Sequence, residues 1–295
     1  MSSTSLAPIA LFVYNRPDHV RRTIDALQLN MGAEESELHV FSDGARDQSA
    51  VQGVSEVREY LSTIRGFRKV EIVERDRNFG LAGSIVDGVT ALCEKHGRVI
   101  VMEDDLVTSP WFLRYMADGL HVFENEDLVA SIHGYRFPIG DAPRNFFLYG
   151  ADCWGWATWQ RAWKAFNPDA RSLLSQLRAH PARKYFDYLG TWPHTSMLRG
   201  FLNGKNNSWA IRWHASMFLA GKLTLHPSRS LVNNIGMDGS GTHCSADDGM
   251  ATLVSDVPIP VENVPLEHSR EQWHKFRNYS VAQVARRAVR RLIPN

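Results

Sequence analysis

Arg98-Val99-Ile100-Val101-Met102-Glu103-Asp104-Asp105 sets an apolar run directly against three consecutive carboxylates. The run is apolar on both faces, which predicts a strand covered on both sides, the kind found in parallel sheets. Three adjacent acids at a strand end repel one another unless positive charge sits among them. A divalent cation carrying a phosphate ligand meets that need, since hard cations take carboxylate oxygens. The alternative is a solvated acidic turn, and the surrounding chain has to decide between the two.

Upstream, the pattern repeats. Strands are predicted at Ile9 to Tyr14, Leu38 to Phe41 and Val70 to Val73, each followed by a helix-like stretch. The intervening stripes are Val20, Ile24 and Leu27, then Val51, Val54 and Leu61, then Ile85, Val89 and Leu92. Strands alternating with helices predict a parallel α/β sheet, and such sheets bind ligands beyond the carboxyl ends of their strands. Each of those ends is polar here: Asn15 and Arg16, Asp43, Arg77 and Asn78, then Glu103 to Asp105. Two basic ends and one carboxylate cluster suit a metal-bound nucleotide diphosphate. No G-x-G-x-x-G follows the first strand and no G-x-x-x-x-G-K-[ST] occurs, which disfavours a dinucleotide-binding domain and a P-loop NTPase.

Composition narrows the classes further. With 295 residues, 44% hydrophobic and 22% charged, the chain has the make-up of a globular protein with a full core. A net charge of +1 argues against nucleic acid as a partner. Cys93, Cys153 and Cys244 are odd in number and lack zinc spacing, which fits a reducing compartment. Met1 to Ala7 has no basic leader pattern, and no apolar run is long enough to span a bilayer. The expected location is cytoplasmic.

The order of strands, Glu103-Asp104-Asp105-Leu106 and the following Ser-Pro-Trp-Phe-Leu resemble the nucleotide-sugar domain of GT-A glycosyltransferases. The likeness is to the branch with N-acetylglucosaminyltransferase I and bacterial enzymes of O-antigen and capsule synthesis. It runs over about residues 7–245 and is strongest over 7–125. It implies a GT-A fold, Rossmann-like and nucleotide-sugar-binding, with a mostly parallel central sheet and helices on both faces. It also implies a divalent cation, Mn²⁺ or Mg²⁺, and a nucleoside-diphosphate sugar, with a UDP-sugar favoured. By that resemblance the acidic triplet is a DxD-like motif: Asp105 holds the metal, Asp104 faces the ribose or donor sugar, and Glu103 orients them. Asn15, Arg16 and Asp43 correspond to base and ribose contacts, and Asn78 to Gly83 to the next donor-facing loop. Arg16 or Arg77 is expected to add charge stabilisation near the diphosphate.

The second half supplies the acceptor side. Leu128 to Ile132 and Phe146 to Tyr149 read as strands, and Trp156, Trp159 and Trp163 fall at helical spacing. In Trp154-Gly155-Trp156 a glycine between two indoles lets the backbone approach a ligand, and indole faces pack on sugars; both tryptophans are therefore donor-pocket candidates. Residues 171–205 read as a helical insertion or lid, and Trp209 opens another helix ending at Gly221. In N-acetylglucosaminyltransferase I, aspartates supplying the catalytic base follow the corresponding tryptophan. Here Ala210, Ile211 and Arg212 stand there. The base candidates are then Asp152, His214 and Asp238. The loop Gly236 to His243 carries three glycines, and the resemblance makes His243 a second metal ligand.

Domain boundaries are expected at 1–255 for the catalytic domain, with donor (7–125) and acceptor (126–255) halves, and at 256–295 for an extended linker and basic amphipathic helix. That helix suits either docking on the domain or peripheral attachment at the inner face of the cytoplasmic membrane. The functional expectation is metal-dependent, inverting transfer of a sugar from a nucleoside-diphosphate donor to a carbohydrate or lipid-linked saccharide acceptor. The alternatives are a sugar-1-phosphate nucleotidyltransferase and a catalytically degenerate nucleotide-sugar-binding protein.

Overall fold

A computed structural model describes residues 6–238, 250–262 and 264–292, with side chains through residue 285. The first half forms four βα units. Strands β1 (Ile9–Val13), β2 (Glu37–Ser42), β3 (Lys69–Glu74) and β4 (Arg98–Glu103) alternate with helices α1 (Pro17–Gln28), α2 (Val51–Leu61) and α3 (Gly80–His96). β1 is buried along its whole length, as a strand covered on both faces must be. Proline opens α1 and Gly97, left-handed, closes α3.

The second half contributes β5 (Leu106–Thr108), α4 (Phe112–Val122), β6 (Val129–His133), β7 (Phe146–Tyr149) and β8 (Trp156–Trp159). It continues through α5 (Gln160–Trp163), α6 (Ala170–Ala179), α7 (Arg183–Phe186), α8 (His194–Leu202) and α9 (Trp209–Leu219). Strands β9 (Leu223–His226) and β10 (Val232–Asn234) and helix α10 (Arg270–Leu292) complete it. The sheet order is β3-β2-β1-β4-β8-β6-β9-β7, with β10 paired to β5 as a separate ribbon. β8 runs antiparallel to both β4 and β6, whereas β9 is parallel to β6. Two reversals restore direction, so β1, β2, β3, β4, β6 and β9 all end at the same edge of the sheet.

Helices α1, α2 and α4 cover one face and α3, α5 and α9 the other. The segment 171–205 folds as α6, α7 and α8 and packs on α9 through Leu173, Phe186, Leu198 and Phe218. The first turns of α10 dock on the body, where Trp273 and Phe276 pack with Leu148 and Tyr188. The side chains of Arg286, Arg287, Arg290 and Arg291, which motivated the membrane-surface reading, lie outside the described residues. Among the described residues no helix is long and apolar enough to cross a membrane.

One reading of local structure is corrected. The spacing of Trp156, Trp159 and Trp163 suggested a helix, but residues 156–159 form β8, and only Trp163 is helical. Strand alternation sends Trp156 and Trp159 to opposite faces. Trp156 enters a cluster with Trp163, Trp209 and Trp213, its ring centroid 5.4 Å from that of Trp209. Trp156 is thus core and not a pocket residue: none of its surface is exposed. Removing it should leave a cavity beneath the sheet's junction. We expect Trp156→Ala to lower unfolding free energy by about 3–5 kcal/mol, measurable by denaturant unfolding. A loss below about 1 kcal/mol would contradict this core role.

Candidate active site

The carboxylate triplet ends β4 in the middle of the common edge. Glu103 finishes the strand, and Asp104 and Asp105 turn toward β5. Their backbone is held from two sides. The Thr23 hydroxyl donates to the Asp104 carbonyl at 2.9 Å, and the Ile235 N–H donates to the Asp105 carbonyl at 2.8 Å. Arg16, at the end of the β1 segment, donates through Nη2 to Asp104 Oδ1 and, at 2.7 Å, to Asp105 Oδ2. Burial by itself would lower the Arg16 pKa, but the two aspartates outweigh it and raise the value. Burial pushes Asp104 up despite Arg16. Glu103 is pushed up to about 8, first by burial and then by the charges of Asp105 and Asp104.

The residues fit a hard divalent cation. Three carboxylates share one guanidinium, and Asp105 Oδ1 is buried without a hydrogen-bond partner. Arg16 Nη1 is likewise buried and unpartnered. Gly236 closes over the pair: a Cβ there would stand 2.1 Å from Asp105 Oδ2 and 3.0 Å from Arg16 Nη1. Only glycine permits this approach. Asp238 follows and pairs with His19 on α1 at 3.2 Å, so it belongs to the donor edge and is not near Asp152. His243 lies outside the described residues.

Other expected donor contacts serve the scaffold. Asp43 accepts from the Gly44, Phe79 and Gly80 N–H groups at 3.0, 2.8 and 2.9 Å, and from Asn78 Nδ2 at 3.0 Å. Four bonds use the acceptor sites of a carboxylate, so Asp43 clamps the start of α3 to the end of β2. Asn78 also donates to the Gly44 carbonyl at 2.8 Å and is part of the same clamp. The two residues shape the donor loop, and the Asp43 carboxylate is fully used in doing so. Arg77 is exposed, with its guanidinium over the Phe79 ring, and Asn15 is half-buried at the same edge.

Toward β7 the edge carries a second polar group. Asp152 stands among His133, at the end of β6, and His226, at the end of β9. Its Oδ2 lies 3.8 Å from His133 Nδ1 and 3.7 Å from His226 Nε2, and the two Nδ1 atoms are 3.3 Å apart. The Trp154 N–H donates to His133 Nε2 at 3.3 Å, which assigns the His133 proton to Nδ1. That proton faces His226 Nδ1 as acceptor, leaving the His226 proton on Nε2, directed at Asp152. The tautomers therefore run one way, from Trp154 through two imidazoles to the carboxylate. A metal-ligating histidine instead donates its other ring N–H, so the trio is read as a relay of two imidazoles oriented toward Asp152, its last step, at 3.7 Å, longer than a hydrogen bond. Burial lowers His133 to about 3 and lowers His226 too, so both rings are neutral. Burial pushes Asp152 up to about 6, although 34% of its side chain is exposed.

His214, the other histidine candidate, is buried on α9 with Nδ1 2.7 Å from the Ala151 carbonyl oxygen. It packs on Phe186 and His194, burial lowers it to about 3, and it supports the backbone beside Asp152. Arg212, in the place of the missing aspartates, donates to the Ser208 and Pro168 carbonyls and stacks on Phe201. Trp154 is half-buried against Tyr135, ring centroids 4.7 Å apart, between the triplet and the relay. Gly155 is required by packing and not by a ligand, since a Cβ would strike Val232 at 2.7 Å. His133 and His226 were missed in the sequence, yet each ends a strand directed at the ligand edge, a signal available from the strand-end rule.

The sequence model of glycosyl transferase family 2 matches residues 9–177. The chain belongs to that family. Its fold is GT-A and its activity is glycosyl transfer. No curated protein matches the sequence. Among solved structures, the chain is similar to a Pyrobaculum calidifontis mannosyltransferase in complex with GDP-Man and Mn²⁺. The identity is 12%, the TM-score 0.41, and the match covers 73% of this chain and 70% of that one. It is also similar to S. aureus TarS 1–349, at 9% identity and a TM-score of 0.41, over 76% of this chain and 59% of that one.

For this transferase the Gly236 contact makes a direct prediction. Gly236→Ala should push Asp105 and Arg16 apart and reduce transfer by about a hundredfold, the scale of a 1 Å misplacement. Circular dichroism should stay unchanged. Wild-type turnover in a folded variant would show that the close approach is dispensable.

Proposed function

We propose that this chain is a metal-dependent transferase that moves a sugar from a nucleoside diphosphate to a saccharide hydroxyl with inversion. A uridine nucleotide is the first donor candidate, and a carbohydrate or lipid-linked saccharide the acceptor. The observation that carries the reading is the unpartnered Asp105 Oδ1 within three crowded carboxylates at the end of β4. Glu103, Asp104 and Asp105 would hold Mn²⁺ or Mg²⁺, which when bound supplies Lewis-acid neutralisation of the leaving diphosphate. Arg16 adds a fixed positive charge beside that group. Asn15 and Arg77 are donor contacts at the same edge. Trp154 offers an indole surface to the sugar.

Asp152 is the group that takes the acceptor proton. β6 lies two strands from β4, about 10 Å at ordinary strand spacing, and that gap leaves room for the reacting sugar between diphosphate and base. Displacement from the side opposite the leaving group inverts the anomeric carbon. His226 and His133 hold the carboxylate in place; the 3.7 Å separation is of the kind that tightens in a substrate complex.

Two measurements test the assignment. A panel of nucleotide sugars, read by thermal shift with and without Mn²⁺, should raise the melting temperature for one donor by mass action. Asp105→Asn should abolish that metal-dependent shift and turnover; a variant with full metal-dependent activity rules the site out. The base has its own signature. Asp152 must be ionised to accept a proton, so kcat/KM should rise with pH through about 6 and level above it. Asp152→Asn should lower kcat by about 10²–10⁴-fold and remove that acidic limb. An unchanged pH profile in this variant assigns the base elsewhere.

A further inference from the structure

The opposite edge of the sheet holds a second cluster that the transfer reaction does not use. Glu37 opens β2, His39 follows on the same face, and His96 ends α3. Glu71 sits beside His39 on β3 in register. The ligand atoms of Glu37, His39 and His96 lie within 4.8 Å of one another. Six residues of extended chain separate Glu37 from Asp43, which puts this cluster about 20 Å from the donor edge.

Two imidazole nitrogens here lack hydrogen-bond partners. His39 is 2% exposed, and neither its Nε2 nor that of His96 has a hydrogen-bond partner. The nearest group to His39 Nε2 is Glu37 Oε2 at 3.6 Å, beyond a hydrogen bond. The other Glu37 oxygen is taken by Arg68 at 2.8 Å, which orients Oε2 inward. His39 Nδ1 faces Glu71 Oε2 at 3.7 Å. Ligating imidazoles direct their remaining N–H at a carboxylate, and Glu71 is placed to receive it from His39 Nδ1 when Nε2 holds a cation. The arrangement is the reverse of that at His133, whose second nitrogen faces an N–H donor. Leaving two buried imidazole nitrogens unpaired costs free energy that a shared cation would recover.

We propose that Glu37, His39 and His96 form a binding site for a borderline-soft divalent cation of the zinc class, with water completing the coordination. Two imidazoles and one carboxylate suit Zn²⁺, for which tetrahedral bonds of about 2.0–2.2 Å place donor atoms about 3.3–3.6 Å apart. Burial lowers both His39 and His96, so both are in the neutral, ligating form at neutral pH. The His96 end of α3 carries the partial negative charge of a helix C-terminus, which favours a cation. Lys69 is neutralised by its 2.8 Å bond to Glu71, while Lys95 weakens the site. The ion ties the end of α3 to β2 and acts as a structural clip, separate from the cation of the transfer site.

Cobalt(II) titration of the full chain tests this, in an Asp105→Asn background that removes the donor-site ligand. One Co²⁺ per chain is expected, with the visible ligand-field bands of a low-coordinate, imidazole-bound ion displaced by Zn²⁺. His96→Ala should abolish the bands while circular dichroism stays unchanged. Glu71→Gln should weaken binding by about 10–100-fold, the scale of losing a carboxylate behind a ligating histidine. His96→Ala in the otherwise wild-type chain should leave sugar transfer intact. Absent bands, or bands insensitive to His96→Ala, overturn the proposal. Neither readout depends on transfer activity, so failure here leaves the assignment of Asp105 and Asp152 standing.

Discussion

Crowding of negative charge at the end of a buried strand is the constraint on which this structure depends. Glu103, Asp104 and Asp105 leave a strand whose central residues are buried on both faces, and Asp104 and Asp105 share a single guanidinium, that of Arg16. With all three ionised, one positive charge against three negative leaves two uncompensated. Burial first, and then the charges of Asp105 and Asp104, push Glu103 up to about 8. Much of the neighbouring chain is arranged to hold the acids together regardless. Thr23 and Ile235 tie the backbone, and Gly236 gives up a side chain to come within reach. A fold satisfied by its own charges would not need such bracing, and the bracing is sensible where an external cation supplies the balance.

The reversed strand β8 extends the influence of this edge. Because β8 runs against both neighbours, β6 and β9 point the same way as β4, and their terminal histidines arrive on the triplet's side of the molecule. β8 also fills the opposite role, burying Trp156 beneath the junction so that the two halves share one core. Donor and acceptor chemistry can then occupy adjacent strand ends on a rigid support, with Trp154 and Tyr135 between them.

The first half was legible because its signals are local. Each strand there is a continuous apolar run followed by polar residues, and β1 to β4 and the helices between them fall where that pattern put them. The triplet and Arg16 were legible for the same reason, since both stand at strand ends. The second half misled where two periods overlap. Trp156, Trp159 and Trp163 fit helical spacing, yet the chain passes from strand to helix between the last two. Asp43 and Asn78 were read as ligand contacts because they are polar and at strand ends. Their satisfaction by three backbone N–H groups and one another is a matter of loop geometry that no spacing reveals.

The relay around Asp152 shows why that half of the site resists reading. His133, Asp152 and His226 are distant in sequence and meet only because β6 and β9 pair in parallel across the sheet. None has a motif around it. Burial sets them apart: it keeps both imidazoles neutral, so neither pairs with Asp152 as a cation and holds the carboxylate acidic. Had either ring been charged, Asp152 would be a weak base. With both neutral, burial moves its pKa up to about 6, with His226 Nε2 3.7 Å from one oxygen. Two sets of carboxylates on one edge are thus tuned for different work by different means. The triplet is crowded, which suits the proposed cation, whereas Asp152 is buried among neutral imidazoles, which suits the proposed role as base.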